Sequence, residues 1–156
     1  MIPEGSAGIM ATIDVMRALV KRYRTDMLIR QTALNLLTLV PPKDSFGEVS
    51  AIFEFVRDHI RYVGDVLDVE TLATPDKTLA LRAGDCDDKS VLLAALLESV
   101  GYNTRFVVAG YNFPGVFEHV YVSVLLGDGS LLSLDPSEDQ PAGFEPPEPI
   151  IYHMER

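Results

Sequence analysis

Cys86 is the only cysteine in this 156-residue chain, and it stands in "AGDCDDKSVLLAALLESVG", residues 83–101, among three aspartates at the head of a long apolar run. A thiol there can act as a nucleophile or simply pack. Cysteine is among the residue types most often buried, so packing is the ordinary reading. Against it, the first turn of a helix presents unsatisfied N–H groups and the positive end of the helix dipole, which favour a thiolate and could hold an oxyanion. Asp85, Asp87 and Asp88 oppose that charge and suit helix capping and dipole pairing, so an activated thiol would need a cationic partner. Two downstream residues are candidates: His119, inside an otherwise apolar strand, and Asp135, at the end of the next one. A strand histidine is more often a core or rim residue, and Asp-Pro is an ordinary turn opener, so their mutual geometry is the test.

The turn between the two strands bears on that geometry. "GDG", residues 127–129, suits a three-residue hairpin loop in which Gly129 takes the left-handed conformation. Such a loop pairs Leu126 with Ser130 and sets Tyr121 opposite Asp135. His119 then lies on the same face, diagonal to Asp135, at a backbone separation of ~7 to 8 Å that an imidazole and a carboxylate can bridge. A loop of two or four residues would shift the pairing by one and send Asp135 to the face opposite His119.

The elements that must position these residues are legible as changes of period. Apolar residues recur at helical spacing from Ile9 to Val40, broken by "KRYRTD", so the stretch reads as one broken helix or two, with Thr25 as a cap for the second. Pro41 and Pro42 end it, and Ser45 with Glu48 forms a capping-box signature that predicts a new helix from near Phe46, with Val49, Ile52, Phe53, Val56 and Ile60 on its apolar stripe. His59 falls at the edge of the wet face and reads as surface. A long irregular connection follows, with a helical turn expected over Pro75–Leu79 after Thr74; loops of that length usually serve a site. The run from Cys86 to Ser99 has no polar stripe through its middle and predicts a helix buried on nearly all sides, closed by Gly101. Beyond it the period falls to two in "TRFVVAG", "FEHVYVSVLL" and "SLLSLD". The expected fold class is α+β: helices first, then a small antiparallel sheet packed on a buried central helix that His119 and Tyr121 face.

Thirteen basic against twenty-three acidic residues give a net charge of −10, which disfavours nucleic acid and anionic lipid surfaces as partners. No apolar stretch reaches the ~18 to 20 residues of a membrane span, and the start lacks the basic region of a secretory signal. A soluble cytoplasmic setting is expected. Stability must come from packing, since a single cysteine allows no internal disulfide and no multi-thiolate zinc site.

With these features in place, "RAGDCDDKSVLLAALLESVGYNTRFVV", "EHVYVSV" and "LDPS", in that order and spacing, resemble a transglutaminase-like domain with a papain-like core, over about Phe46 to Pro136. The chain then divides into an N-terminal helical segment (1–45), the core (46–136) and an acidic, proline-rich tail (137–156) within one domain; the composition of the tail predicts that it is extended and ordered against a neighbour. The resemblance implies Cys86 as nucleophile, His119 as the base that takes its proton and Asp135 as the group that orients the ring, in acyl transfer from an amide through a thioester. Imidazolium beside the sulfur would then keep the thiolate below the ~8.5 of a free thiol. The implied partner is a protein or peptide substrate, with self-association through the helices or tail, and no cofactor or metal. Compact sequences of this type also resemble proteins of bacterial and phage genomes, which would allow a place in a virion.

Two departures from the family pattern stand out. The chain has no Trp to help hold an oxyanion, leaving the Cys86 N–H with Tyr62 or Tyr111 as a second donor. Counting a calcium loop from Asp85 puts Ser90 where glycine is needed and Leu96 where the bidentate glutamate belongs. A metal set of Asp85, Cys86, Asp87, His119 and Asp135 has no standard ligand spacing. The rival to the enzyme is an assembly or binding module that uses the same fold with an idle triad.

Overall fold

The computed structural model describes residues 6–64, 72–110, 119–146 and 151–154. The helical N-terminal stretch is two helices, α1 (Ser6–Tyr23) and α2 (Met27–Leu36). The cap of α2 is Asp26, whose carboxylate accepts from the Ile29 N–H, while Thr25 turns back to donate to the Arg22 carbonyl. The third helix, α3 (Ser45–His59), is likewise capped one residue earlier than the Ser45–Glu48 pattern suggests: Asp44 accepts from Gly47 N–H at 2.9 Å. In both cases an aspartate beside a hydroxyl residue takes the capping place, since a carboxylate at a helix start also gains from the dipole.

A short strand, β1 (Arg61–Tyr62), runs parallel to β2 (Ala83–Gly84), a pairing with no periodic signal to announce it. Between them α4 (Pro75–Leu81) starts at Pro75 as expected but extends beyond Leu79, and Thr74 holds the N-cap position without a side-chain bond to the helix N–H groups.

The helix α5 (Cys86–Ser99) is the centre of the molecule, and every residue from Val91 to Leu97 is buried. Around it pack Ile13, Met16 and Val20 of α1, Ile29 and Ala33 of α2, Val49, Ile52, Phe53 and Val56 of α3, and Leu79 of α4. The remaining side is closed by an antiparallel sheet of β3 (Asn103–Gly110), β4 (His119–Leu125), β5 (Leu131–Leu134) and β6 (Ile151–Met154), in the order β5-β4-β3-β6. Gly101, at φ 100°, ends α5 as a left-handed residue, the role the sequence suggests for it. The class is α+β, with helices and sheet layered on one buried helix.

Two expectations change. Phe106 and Val108 of β3 and Val120, Val122 and Val124 of β4 face α5, so strand alternation sends Tyr121 to the other side, where it packs with Val107 and Ala109 in a separate small cluster. His119 and Tyr121 therefore do not face the helix across the sheet. The tail also finds ordered contacts within its own chain. Gly143 N–H donates to the Ser133 carbonyl at 2.7 Å, and β6 pairs antiparallel with β3 from Val107↔Met154 to Gly110↔Ile151. Unpaired edge backbone on both outer strands gives those segments a template that composition does not show.

Because α5 is enclosed by both layers, Leu93→Ala should cost about 2 to 5 kcal/mol. Met27→Ala, on an 86% exposed side chain, should move stability by no more than about 0.5 kcal/mol. Urea unfolding of the two variants checks the contrast.

Candidate active site

The site is assembled at the N-terminus of α5, where a reciprocal pair of aspartates closes the helix. Asp85 is the N-cap and accepts from Asp88 N–H at 2.9 Å, while Asp88 accepts from Asp85 N–H at 3.2 Å. The second oxygen of Asp88 takes the Ala73 N–H at 2.8 Å, which ties the segment ahead of α4 to the same turn. Gly84 permits the close approach of β2: a Cβ there would lie 2.7 Å from that of Asp88.

Cys86 opens α5 and is partly buried, its thiol pointing at Asp87 Oδ1 over 3.8 Å. Ser90, one turn further along, donates from Oγ to the Val120 carbonyl at 3.3 Å, so the first turns of α5 rest against the start of β4. Burial raises the Cys86 thiol well above its ordinary value, and the charges of Asp87, Asp85 and Asp135 add to the rise. The backbone of Val120 alone, by hydrogen bonding, acts the other way. A thiolate stabilised below the free-thiol range is therefore not the resting form; desolvation and three carboxylates keep the proton on sulfur.

The hairpin brings the other two residues together. Leu126 N–H donates to the Ser130 carbonyl at 2.9 Å, Gly129 has φ 88°, and the register runs from Leu125↔Leu131 to Val122↔Leu134. Continued by one residue, it sets Tyr121 across from Asp135, as a three-residue loop requires. His119 reaches diagonally, and its Nε2 lies 2.7 Å from Asp135 Oδ2. Asp135 is 1% exposed at its side chain, and its other oxygen accepts from Ser137 N–H at 3.2 Å. Tyr121 stacks on the His119 ring with centroids 6.1 Å apart. Cys86 is linked to the backbone of Val120, the next residue after His119, and lies within the field of Asp135.

The sequence did not single out Glu138 or Lys89. Glu138 brings a carboxylate oxygen into a group with His119 and Asp135 whose ligand atoms lie within 4.8 Å of one another. The short hydrogen bond already joins the facing atoms of His119 and Asp135, and neither Cys86 nor its flanking aspartates belong to the group, so the five-residue set weighed from sequence is not what the fold gathers. Lys89 is almost wholly buried and sits in the wall of a cleft of about 390 Å³ between the end of α3, β1 and residues 136–139. Its only signal in sequence is a charge on a helix with no wet face. Of the two tyrosines considered for an oxyanion, Tyr62 is exposed on β1 beside Gly84, and Tyr111 lies outside the described residues. His59 is exposed, as its helical position suggests, and stacks on Phe55. Among the described residues no helix is long and apolar enough to cross a membrane.

The sequence matches the transglutaminase-like superfamily over residues 34–136. The fold resembles a candidate protease from Parabacteroides distasonis, with a TM-score of 0.63 and 14% identity over 83% of this chain and 27% of that one. It also resembles a candidate cysteine protease from Cytophaga hutchinsonii, with a TM-score of 0.59 and 18% identity over 86% of this chain and 52% of that one. A third similar structure is Rad4–Rad23 bound to a 6-4 photoproduct lesion, with a TM-score of 0.55 and 13% identity over 86% of this chain and 39% of that one. This chain thus spans about a quarter to a half of the length of these relatives. No curated protein sequence matches it.

The charge of Asp87 is the largest cause of the raised thiol after burial itself. Asp87→Asn should bring the thiol down and speed iodoacetamide labelling of folded protein several-fold at pH 7.5. Equal rates for parent and variant would show that Asp87 does not control the sulfur.

Proposed function

Because the chain belongs to the transglutaminase-like superfamily, we propose that it is a thiol enzyme of acyl transfer, with Cys86 as nucleophile, His119 as general base and acid, and Asp135 as the orienting carboxylate. One observation carries the reading: a histidine hydrogen-bonded at 2.7 Å to a carboxylate that is 1% exposed, whose charge acts on the only thiol in the chain. With Nε2 given to Asp135, Nδ1 is the nitrogen that exchanges a proton with sulfur.

Since the resting thiol holds its proton, His119 acts as a base during attack and not as one half of a standing ion pair. The Sγ–H proton moves to Nδ1 as sulfur bonds to the carbonyl carbon of the substrate amide. Charge then develops on the carbonyl oxygen, where the Cys86 N–H at the positive end of α5 can receive it, with Tyr62 as second donor. Nδ1–H gives its proton to the leaving amine as the C–N bond breaks, which leaves a thioester on Cys86. Water, deprotonated by His119, yields an acid; an amine in its place yields a new amide. Asp135 holds the ring in one tautomer throughout.

A non-catalytic module is the second reading, and the raised thiol favours it: burial, Asp87, the capping Asp85 and Asp135 all work against sulfur ionisation. Nucleic acid, which the Rad4–Rad23 structure holds, suits this chain poorly at a net charge of −10.

Incubation with a p-nitrophenyl ester or an activated peptide amide, followed by intact mass, should show one acyl group on Cys86. His119→Ala should slow acylation on the order of 10²- to 10⁴-fold, and Asp135→Asn should slow it less. A parent that takes up no acyl group, and whose labelling rate is unchanged by His119→Ala, would give the module reading the lead.

A further inference from the structure

Lys89 is one of the largest fully buried side chains of the protein, at 2% exposure, and it lies in the wall of the cleft of about 390 Å³ between the end of α3, β1 and residues 136–139. Among the described residues its ammonium has one hydrogen-bond partner, the Arg57 carbonyl at 3.4 Å, for a group with three donors. Lysine is almost never this buried without a counter-charge. A second donor in the same wall is left over. The Ser137 hydroxyl is buried with no hydrogen-bond partner among the described residues, while the Ser137 N–H is spent on Asp135. Buried donors left unmade are costly, a charged one most of all, so two in one cleft call for an acceptor. The acids of the cleft do not supply it: Asp58 is held by both prongs of the Arg57 guanidinium, at 2.7 and 2.8 Å, and Glu138 and Asp139 are exposed and screened by water. Arg61 adds a further cation from the exposed side of β1, and His59 is stacked on Phe55.

We propose that this cleft is a substrate subsite that takes one carboxylate of an acyl-donor peptide, with the Lys89 ammonium as its counter-charge, the Ser137 hydroxyl as a second donor and Arg61 drawing the anion in. The cleft borders the proposed reacting groups in three places. Tyr62 of its wall pairs with Gly84, two residues before Cys86; Lys89 follows Cys86 by three residues on α5; and Glu138 brings a carboxylate oxygen within 4.8 Å of ligand atoms of both His119 and Asp135. With Arg57 and Asp58 neutralising each other, Lys89 and Arg61 stand against Glu138 and Asp139, a balance that suits a carboxylate better than a dianion such as phosphate. Burial lowers Lys89 to about 8, against the pull of Asp135 and then of Asp58, so the ammonium is the main form at neutral pH. A chain of net charge −10 repels acidic peptides at long range, which leaves their recognition to a cation met at short range inside a cleft. Carboxylate binding stands without catalysis; only the role of the peptide as acyl donor rests on the acyl-transfer reading.

The test uses three N-acetylated peptides of one sequence: one with a central glutamate and an amidated end, one with glutamine there and a free C-terminal carboxylate, and one with glutamine and an amidated end. Each is titrated by calorimetry at pH 7 into protein carrying Cys86→Ser, so that binding is read without turnover. At least one carboxylate peptide should bind roughly tenfold tighter than the neutral one, the worth of a charge-assisted hydrogen bond. Which of them does so assigns the carboxylate to a side chain or to a chain end. Lys89→Met, checked for folding by its amide spectrum, should bring the three affinities together. Ser137→Ala and Arg61→Gln should each reduce the preference, and they decide the matter where Lys89→Met does not fold. Equal affinities of the three peptides for the starting protein would overturn the inference, as would a preference that survives unchanged in every folded variant. The protein with Cys86 intact is then incubated with the same peptides and followed by mass for acyl-enzyme and for amide cleavage. A binding preference with neither product keeps the subsite while the catalytic reading fails; cleavage of all three peptides without a binding preference removes the subsite and leaves acyl transfer standing.

Discussion

Burial of α5 on every side is the constraint on which the rest of the structure depends. Four helices and a sheet enclose the run from Val91 to Leu97, so this helix can meet polar chemistry only at its two ends. The C-terminal end is used for fastening: Glu98 receives Arg17, Arg24 and Thr104, joining α1 and β3 to the last turn of α5. The N-terminal end is left for the thiol. A nucleophile there needs no loop of its own, because packing of the whole domain holds its backbone.

The same end carries an electrostatic conflict. Four N–H groups at a buried helix start call for acceptors, and Asp85 and Asp88 supply two of them within the first turn itself. Asp85, which secures the cap, and its neighbour Asp87 also raise the cost of a second anion on sulfur. The fold does not resolve this by removing the acids. It sets an imidazole hydrogen-bonded to a buried carboxylate at the start of β4 and the end of β5, in the same end of the molecule as the thiol.

What could be read from sequence was set by local physics. The "GDG" loop determines register because the side-chain period of a strand is two, and so the His119–Asp135 contact follows from three turn residues. The central helix follows from a run with no wet face. Reading failed where two local solutions had nearly equal worth, as at Asp26 against Thr25 and Asp44 against Ser45, and where the partner is distant in sequence. Nothing near Arg61 announces β2, and nothing in the acidic tail announces β3. The face of Tyr121 is misread from sequence because alternation alone does not say which of two alternating sets turns inward: Val120, Val122 and Val124 take the helix side, and the histidine and tyrosine take the other. Lys89 and Glu138 escaped notice because a single charge gains meaning only from what surrounds it in space.

The proposed base and its carboxylate therefore come from the sheet layer and the thiol from the helix. His119 opens β4, Asp135 follows β5 directly, and the 2.7 Å hydrogen bond between their side chains joins them. The distance from that pair to sulfur is set by how α5 seats on β4, and there the Ser90–Val120 hydrogen bond is the polar contact that fixes the helix along its axis. Ser90 sits one turn from Cys86 on the same side of the helix, so a slide of α5 that breaks this bond carries the thiol away from His119 by the same amount. Packing of apolar side chains tolerates a slide of a few tenths of an ångström; a proton transfer does not. A buried hydroxyl in an otherwise apolar run thus ties the first turns of α5 to β4, a contact that no residue of the proposed triad makes.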